Sequence, residues 1–299
     1  EYLTARIGTE LAGMRLDQAL AVLFGDYSRN RIQQWVREGR VKLDGQSVCR
    51  PREKVFGGER VVLEAQLADQ VENRPQAIPL DILYQDSELM VIDKPPGLVV
   101  HPAAGNPDGT LQNALLHHDP ELARLPRAGI VHRLDKDTSG LLVVARSPAA
   151  HKSLVEQLQS RQVKREYRAV VCGLPTAGGS VDQPIGRHPL HRTRMAVVAS
   201  GKPAVTHYRL VERFRAHTLL RVHLETGRTH QIRVHLAWLG TPLIADQMYG
   251  DGKPLVIGGE TLLENYPLHS AALDFTHPGT GKRLRVEAPL PDDMRRALE

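Results

Sequence analysis

His132-Arg133-Leu134-Asp135-Lys136-Asp137-Thr138-Ser139-Gly140, running on into Leu141-Leu142-Val143-Val144-Ala145, decides how this chain is read. The first part predicts a turn that holds a carboxylate among cations and ends in glycine. The second is an aliphatic run that predicts a buried strand. A turn anchored on a rigid strand can hold one acid in a fixed place. Arg133 and Lys136 favour the charged form of Asp135, and an ionised carboxylate can attack or abstract. Asp137 points away from Asp135 if the turn continues extended, and is assigned to turn structure. The same nine residues also fit an ordinary Asp-rich turn whose side chains cap backbone groups, so the rest of the chain has to decide.

Composition sets the limits. The chain has 299 residues, 41% hydrophobic and 24% charged, which suits a soluble globular protein with room for two domains. Lys and Arg number 39 against 34 Asp and Glu, a modest basic excess that is compatible with a polyanionic partner. Cys49 and Cys172 are the only cysteines and form no CxxC pair, which speaks against a zinc site or a disulfide framework and fits a reducing cytoplasm. No apolar run approaches the length of a membrane span.

Residues 1–75 read as a separate module. Leu16, Leu20 and Leu23 are spaced for one helix; Ser28 is placed to cap a second, from Arg29 to Glu38, which Gly39 ends. Val41–Leu43 and Arg60–Leu63 are expected strands, with Asp44-Gly45 as a tight turn. From Arg29 to Lys54 there are eight basic residues against three acidic ones, a stripe that could follow a phosphate backbone.

Gln66 to Pro79 is polar, carries Pro75 and Pro79, and is expected to be a linker. A second domain, 76–299, follows. Leu80–Gln85 and Leu89–Lys94 predict a hairpin; Leu111–His117, Ala149–Gln162 and His230–Leu239 predict helices. Strands are expected at Arg165–Val171, Ala204–Val211, His217–Leu224, Ala271–Phe275 and Arg283–Val286. Hairpins with interspersed helices, lacking regular strand-helix alternation, indicate an α+β fold with a mainly antiparallel sheet. No GxGxxG or GxxxxGK[ST] opens a helix, so no nucleotide cofactor is implied.

Two later clusters bear on the site. Lys164-Arg165-Glu166-Tyr167-Arg168 sets a Tyr on a strand between cations, a pattern suited to stacking a flipped base while its phosphates are neutralised. In Gly227-Arg228-Thr229-His230-Gln231-Ile232-Arg233-Val234-His235 a Gly turn feeds a helix start able to bind phosphate, with Arg228 and Arg233 adding donors. His230 and His235 lie about 140° apart on a helix, so a shared metal is not expected.

Together these residues resemble two known families. Arg15-Leu16-Asp17, then Ser28-Arg29, then Ile32 to Gly45, resembles the αL-type RNA-binding domain named after ribosomal small-subunit protein four. That resemblance implies RNA contacts by Arg29, Arg31, Arg37, Arg40 and Lys42. Val131 to Leu141, Arg165-Glu166-Tyr167 and Gly227 to His235, in that order, resemble the RluA-type pseudouridine synthases. Asn106-Pro107-Asp108-Gly109-Thr110 and Gly201 to Tyr208 most resemble their RluD branch, which modifies large-subunit (23S) ribosomal RNA. The resemblance implies the pseudouridine synthase fold and isomerisation of uridine to its carbon-linked isomer, at the helix 69 stem-loop, with neither metal nor organic cofactor. It puts the catalytic carboxylate on Asp135, the active-site Tyr on Tyr167 and the carboxylate's cation on Arg233. Arg133 matches the residue that enters the RNA helix. His132, Arg228 and Leu268 are expected to bind substrate, and Lys164 and Arg165 to contact RNA. The expected protein is a cytoplasmic monomer. Two other readings stay open: an RNA-binding assembly factor without chemistry, and a nucleosidase using Asp135 with a second acid.

Overall fold

The computed structural model describes residues 2–25, 27, 29–65, 74–103, 105–191 and 193–299; the side chains of residues 30 and 31 lie outside the description. The chain divides into two compact units, Glu1–Glu72 and Asn73–Glu299.

In the first unit the elements are β1 (Tyr2–Arg6), α1 (Leu16–Leu23), α2 (Arg29–Arg37), β2 (Val41–Leu43), β3 (Gln46–Val48) and β4 (Arg60–Glu64). The strands form one antiparallel sheet in the order β1-β4-β2-β3. Leu16, Ala19 and Leu20 of α1 and Ile32, Trp35 and Val36 of α2 close a core with Val41, Val61 and Leu63 of the sheet. Asp44 and Gly45 both take positive φ, as a two-residue hairpin turn requires. The strand β1 was not expected: it buries little, so its sequence carries no strong alternation. Ser28, the expected helix cap, lies outside the described residues.

The expected linker falls partly on residues 66–73, which also lie outside them. The remainder is not free chain. The Arg74 carbonyl accepts from the Asn113 side chain, and the Gln76 amide donates to the Asn113 carbonyl, so residues 74–79 belong to the second unit despite their prolines.

That unit runs β5 (Asp81–Gln85), β6 (Leu89–Lys94), α3 (Leu111–His118), β7 (Ser139–Ala145), α4 (Pro148–Gln159), β8 (Lys164–Cys172), β9 (Gly179–Asp182), β10 (Ile185–Arg187), β11 (Met195–Val197), β12 (Val205–Arg213), β13 (His217–Leu224), α5 (Gln231–Trp238), β14 (Leu255–Ile257), β15 (Glu260–Leu263), β16 (Leu268–Thr276), β17 (Arg283–Glu287) and α6 (Asp292–Arg296). Among the described residues, a nine-stranded sheet has the order β5-β6-β7-β16-β8-β13-β12-β9, with β17 on β16. Every pairing in it is antiparallel except β7 with β16, and with its flanking helices the unit is α+β. The two-residue alternation explains why β6 and β7 read as unbroken apolar runs. Met90, Ile92, Leu142 and Val144 face α3 and the site, while Leu89, Val91, Leu141 and Val143 face α4, so both faces are covered. The short strands β9, β10, β11, β14 and β15 and the helix α6 escaped the sequence reading because three to five residues hold too little periodicity.

Candidate active site

The turn before β7 is pinned from three sides. The Lys94 ammonium, fully buried, donates to the carbonyls of Pro95, Leu98 and Lys136 at 2.8, 3.0 and 2.8 Å. Burial brings its pKa down to about 8, against the pull of Asp137, Asp135 and Asp93. The His132 ring accepts from the Val143 amide at 3.1 Å, and burial, then the Arg165 charge, take its pKa down to about 3. His132, expected as a substrate ligand, therefore ties the loop to β7 as a neutral ring at the cleft wall. Gly140, at φ +102, lets β7 meet β16: a Cβ there would lie 2.3 Å from the Ser270 carbonyl oxygen.

So fixed, Asp135 presents its carboxylate 3.4 Å from Nη1 of Arg233. Arg233 reaches it from α5, and its guanidinium is held by a residue the sequence reading missed. Buried Asp246 accepts from Arg233 Nε at 2.8 Å and from Nη2 at 2.9 Å, and also from the amides of Met248 and Tyr249. Tyr266 and Tyr249 lie against the guanidinium, ring centroids 4.1 and 4.9 Å from Cζ. Burial alone would loosen the Arg233 proton, but the hydrogen bonds to Asp246 and the charges of Tyr266, Asp246 and Asp135 together outweigh it and raise the pKa. Burial pushes the Asp246 carboxyl up, but the bonds and charge of Arg233, with the Tyr249 and Met248 amides, together hold it below the usual range. Two non-glycine residues with left-handed backbone, His230 and Ala245, stand just before Arg233 and Asp246, a placement of strain common at functional sites. Leu243-Ile244-Ala245-Asp246 does pair an apolar run with an acid, as the Asp135 turn does, but nothing in it names Arg233 as the partner.

Around Asp135 opens a cleft of about 750 Å³ lined by Tyr167, Arg165, Leu268, Arg133, Arg228 and His132 among others. Strand alternation on β8 turns Arg165, Tyr167 and Ala169 one way. Lys164 and Glu166 turn the other, so Lys164, expected beside Arg165, does not line the cleft. Glu166 instead pairs with Arg168, Arg221 and His223. Burial pushes the Tyr167 phenol up, leaving a neutral ring facing the cleft. Arg133 is exposed. At the helix start one donor is already taken: the Gln231 side chain accepts from the Arg228 amide, at 3.0 Å, and Arg228 Nε donates to the Pro203 carbonyl. His230 bonds the Tyr249 hydroxyl, whereas His235 contacts Thr206 and the Gln183 carbonyl. Among the described residues no group of His, Cys, Asp and Glu is arranged to hold a metal.

In the first unit the expected RNA ligands divide. Arg29 gives Nε and Nη2 to buried Asp17, at 2.9 and 2.8 Å, and Arg15 and Gln33 bond the same carboxylate. Arg40 pairs with Glu38 and Glu64. Arg37 is exposed and borders a concavity with Arg50 and Arg52, and Lys42 is exposed on β2. The side chain of Arg31 lies outside the described residues.

A carboxylate set against a clamped guanidinium in a cation-lined cleft is an arrangement suited to acid-dependent chemistry on an anionic substrate. Residues 88–238 match the family described as RNA pseudouridylate synthase, and residues 14–61 match the S4 domain. The chain belongs to the RNA pseudouridylate synthase family, RluA type. It is 52% identical to ribosomal large subunit pseudouridine synthase D of Vibrio parahaemolyticus, over 98% of this chain and 92% of that protein. To the protein of that name from Yersinia pestis it is 53% identical, with the same coverage. The structures of human RNA pseudouridylate synthase domain containing 1 and 4 superpose with TM-scores of 0.56 and 0.57, at 26% and 28% identity. They cover 72% and 73% of this chain and 84% and 91% of theirs.

Proposed function

We propose that this protein isomerises uridine to pseudouridine in the 23S RNA of the large ribosomal subunit, at the helix 69 stem-loop. The relatives' names support large-subunit RNA as the substrate, the stem-loop follows from the RluD resemblance alone, and the facing pair Asp135 and Arg233 carries the chemistry. The glycosidic bond between N1 and C1′ breaks, the uracil turns, and C5 bonds to C1′; C5 gives up its proton and N1 regains one, so the product is an isomer. Asp135 either adds to C1′ or removes the C2′ proton to give a glycal, and in both routes it ends as the free carboxylate. Arg233, 3.4 Å away, keeps it aimed. A uridine inside a helix must be flipped out to be reached, so Tyr167 and Leu268 pack on the extruded base while Arg133 fills the gap it leaves.

The first unit, Glu1–Glu72, acts as the RNA-binding module and the second, Asn73–Glu299, as the catalytic one. The protein works as a cytoplasmic monomer on RNA that is free or already in an assembling subunit. Among the described residues no helix is long and apolar enough to cross a membrane. The decisive experiment is Asp135→Asn, assayed on 23S RNA from cells lacking the protein. RNA binding is retained and pseudouridine formation is lost; turnover by the purified variant would refute the assignment, and release of free uracil by the native protein would make it a nucleosidase.

A further inference from the structure

Arg165 is as buried as Arg233, 9% exposed against 6%, yet the two differ in what surrounds them. Arg233 faces two carboxylates. Arg165 pairs with no carboxylate among the described residues, and its Nε is buried without a hydrogen-bond partner. A buried cation left uncompensated is costly to fold around. The backbone nevertheless makes room for it: a Cβ at Gly227 would lie 2.8 Å from Arg165 Nη1. The side chain lines the cleft, where a ligand can supply its counter-charge.

The other cations of the cleft are differently occupied. Arg161 pairs with Glu225 and Arg228 bonds the Pro203 carbonyl, while Arg127, Arg133 and Lys136 are exposed. Arg165 stands two positions from Tyr167 on the same strand face, about 6–7 Å along the chain. That is the scale of one nucleotide from base to phosphate. We propose that Arg165 receives the phosphodiester of the flipped uridine itself, and that Gly227 holds the place open. This rests on the RNA reading of the cleft and adds to it the group that registers the nucleotide.

The test uses the full chain with two RNA substrates, one native and one carrying a neutral methylphosphonate at the target uridine. For the native enzyme, the neutral linkage lowers kcat/KM by about 10- to 100-fold, the loss of a charge-assisted bond. Arg165→Met lowers it by a similar factor on native RNA, and the methylphosphonate then adds nothing further. The melting temperature of Arg165→Met stays level or rises, because an unpaired charge has gone; Arg165→Lys recovers part of the activity. The slope of log affinity against log salt falls by about 0.7–0.9, one phosphate contact. Native enzyme indifferent to the neutral linkage, or additive losses from the two changes, would overturn the proposal, and the first of these needs no variant to fold. An enzyme that isomerises uridine while ignoring the methylphosphonate sinks only this inference. One that makes no pseudouridine on native RNA sinks the functional reading beneath it.

Discussion

Each unit of the molecule buries one aspartate completely and clamps it with arginine, Asp17 in the first and Asp246 in the second. The outcomes differ. Asp17 takes Arg15, Arg29 and Gln33 together, so the charge is finished inside the scaffold. Asp246 takes Nε and Nη2 of Arg233 and leaves Nη1 to face Asp135. The same chemical pair thus serves as a knot in one place and as an aiming device in the other. What separates them is whether a donor is left over and whether the arginine is shut away from water: the Arg233 side chain is 7% exposed, that of Arg29 44%.

The strongest way to break this contrast is to loosen each aspartate in turn. Asp246→Asn keeps the shape but removes the charge that fixes Arg233. A small displacement of a positioned group costs on the order of 100-fold, so kcat falls by about that factor while KM changes little. Breaking a buried pair also costs about 3–5 kcal/mol of stability. Asp17→Asn destabilises the first unit and leaves kcat unchanged. Single-turnover kinetics on a folded Asp246→Asn protein decide the matter: an unchanged chemical step would mean that Asp246 only holds the fold.

Acid separates the units next. His132 and His269 have folded pKa values near 3 and 4, depressed from 6.5 first by burial. For a depressed group the stability is fully present above the unfolded value and is lost as pH falls towards the folded one, here from 6.5 down through about 4 and 3. Asp93 works the other way. Burial raises it to about 6, so its contribution grows as pH falls through 6. The net loss in the second unit between pH 6.5 and 4 is on the order of a few kcal/mol. In the first unit burial tends to raise Asp17, but its bonds from Gln33, Arg29 and Arg15 lower it, so its stabilising effect persists until pH falls below 3.8. Hydrogen exchange read separately for the two units should show the second opening first on acidification; the reverse order would contradict the assigned ring states.

Much of the fold and site was legible because the relevant signals are local. Unbroken apolar runs marked β6 and β7, and three motifs, on the turn before β7, on β8 and on α5, carried Asp135, Tyr167 and Arg233. What stayed hidden depends on long-range packing. Nothing near Asp246 in sequence announces that Arg233, thirteen residues earlier, will fold back on it. Lys94 reads as the end of a strand, and only its three carbonyl partners reveal a staple. A count of cations cannot tell Arg29, bonded to Asp17, from Arg37, which borders an open concavity.

That last distinction gives the smallest and most specific effect. Arg29→Ala removes two hydrogen bonds from a buried carboxylate that keeps Arg15 and Gln33, so the first unit loses about 1–2 kcal/mol. Its RNA affinity, measured well below the melting temperature, barely moves. Arg37→Ala does the opposite. Its side chain is exposed and its contact to Gln33 is long, 3.4 Å, so stability stays within about 0.5 kcal/mol. Affinity drops a few-fold for every RNA tested, and the salt slope falls by roughly 0.7–0.9, as the loss of a phosphate contact requires. Melting curves and salt-dependent binding on the two variants form a crossed pair of measurements. If Arg29→Ala weakened binding at unchanged stability, Asp17 would not be consuming that charge, and the division between knot and aiming device would fail in the unit where it is easiest to observe.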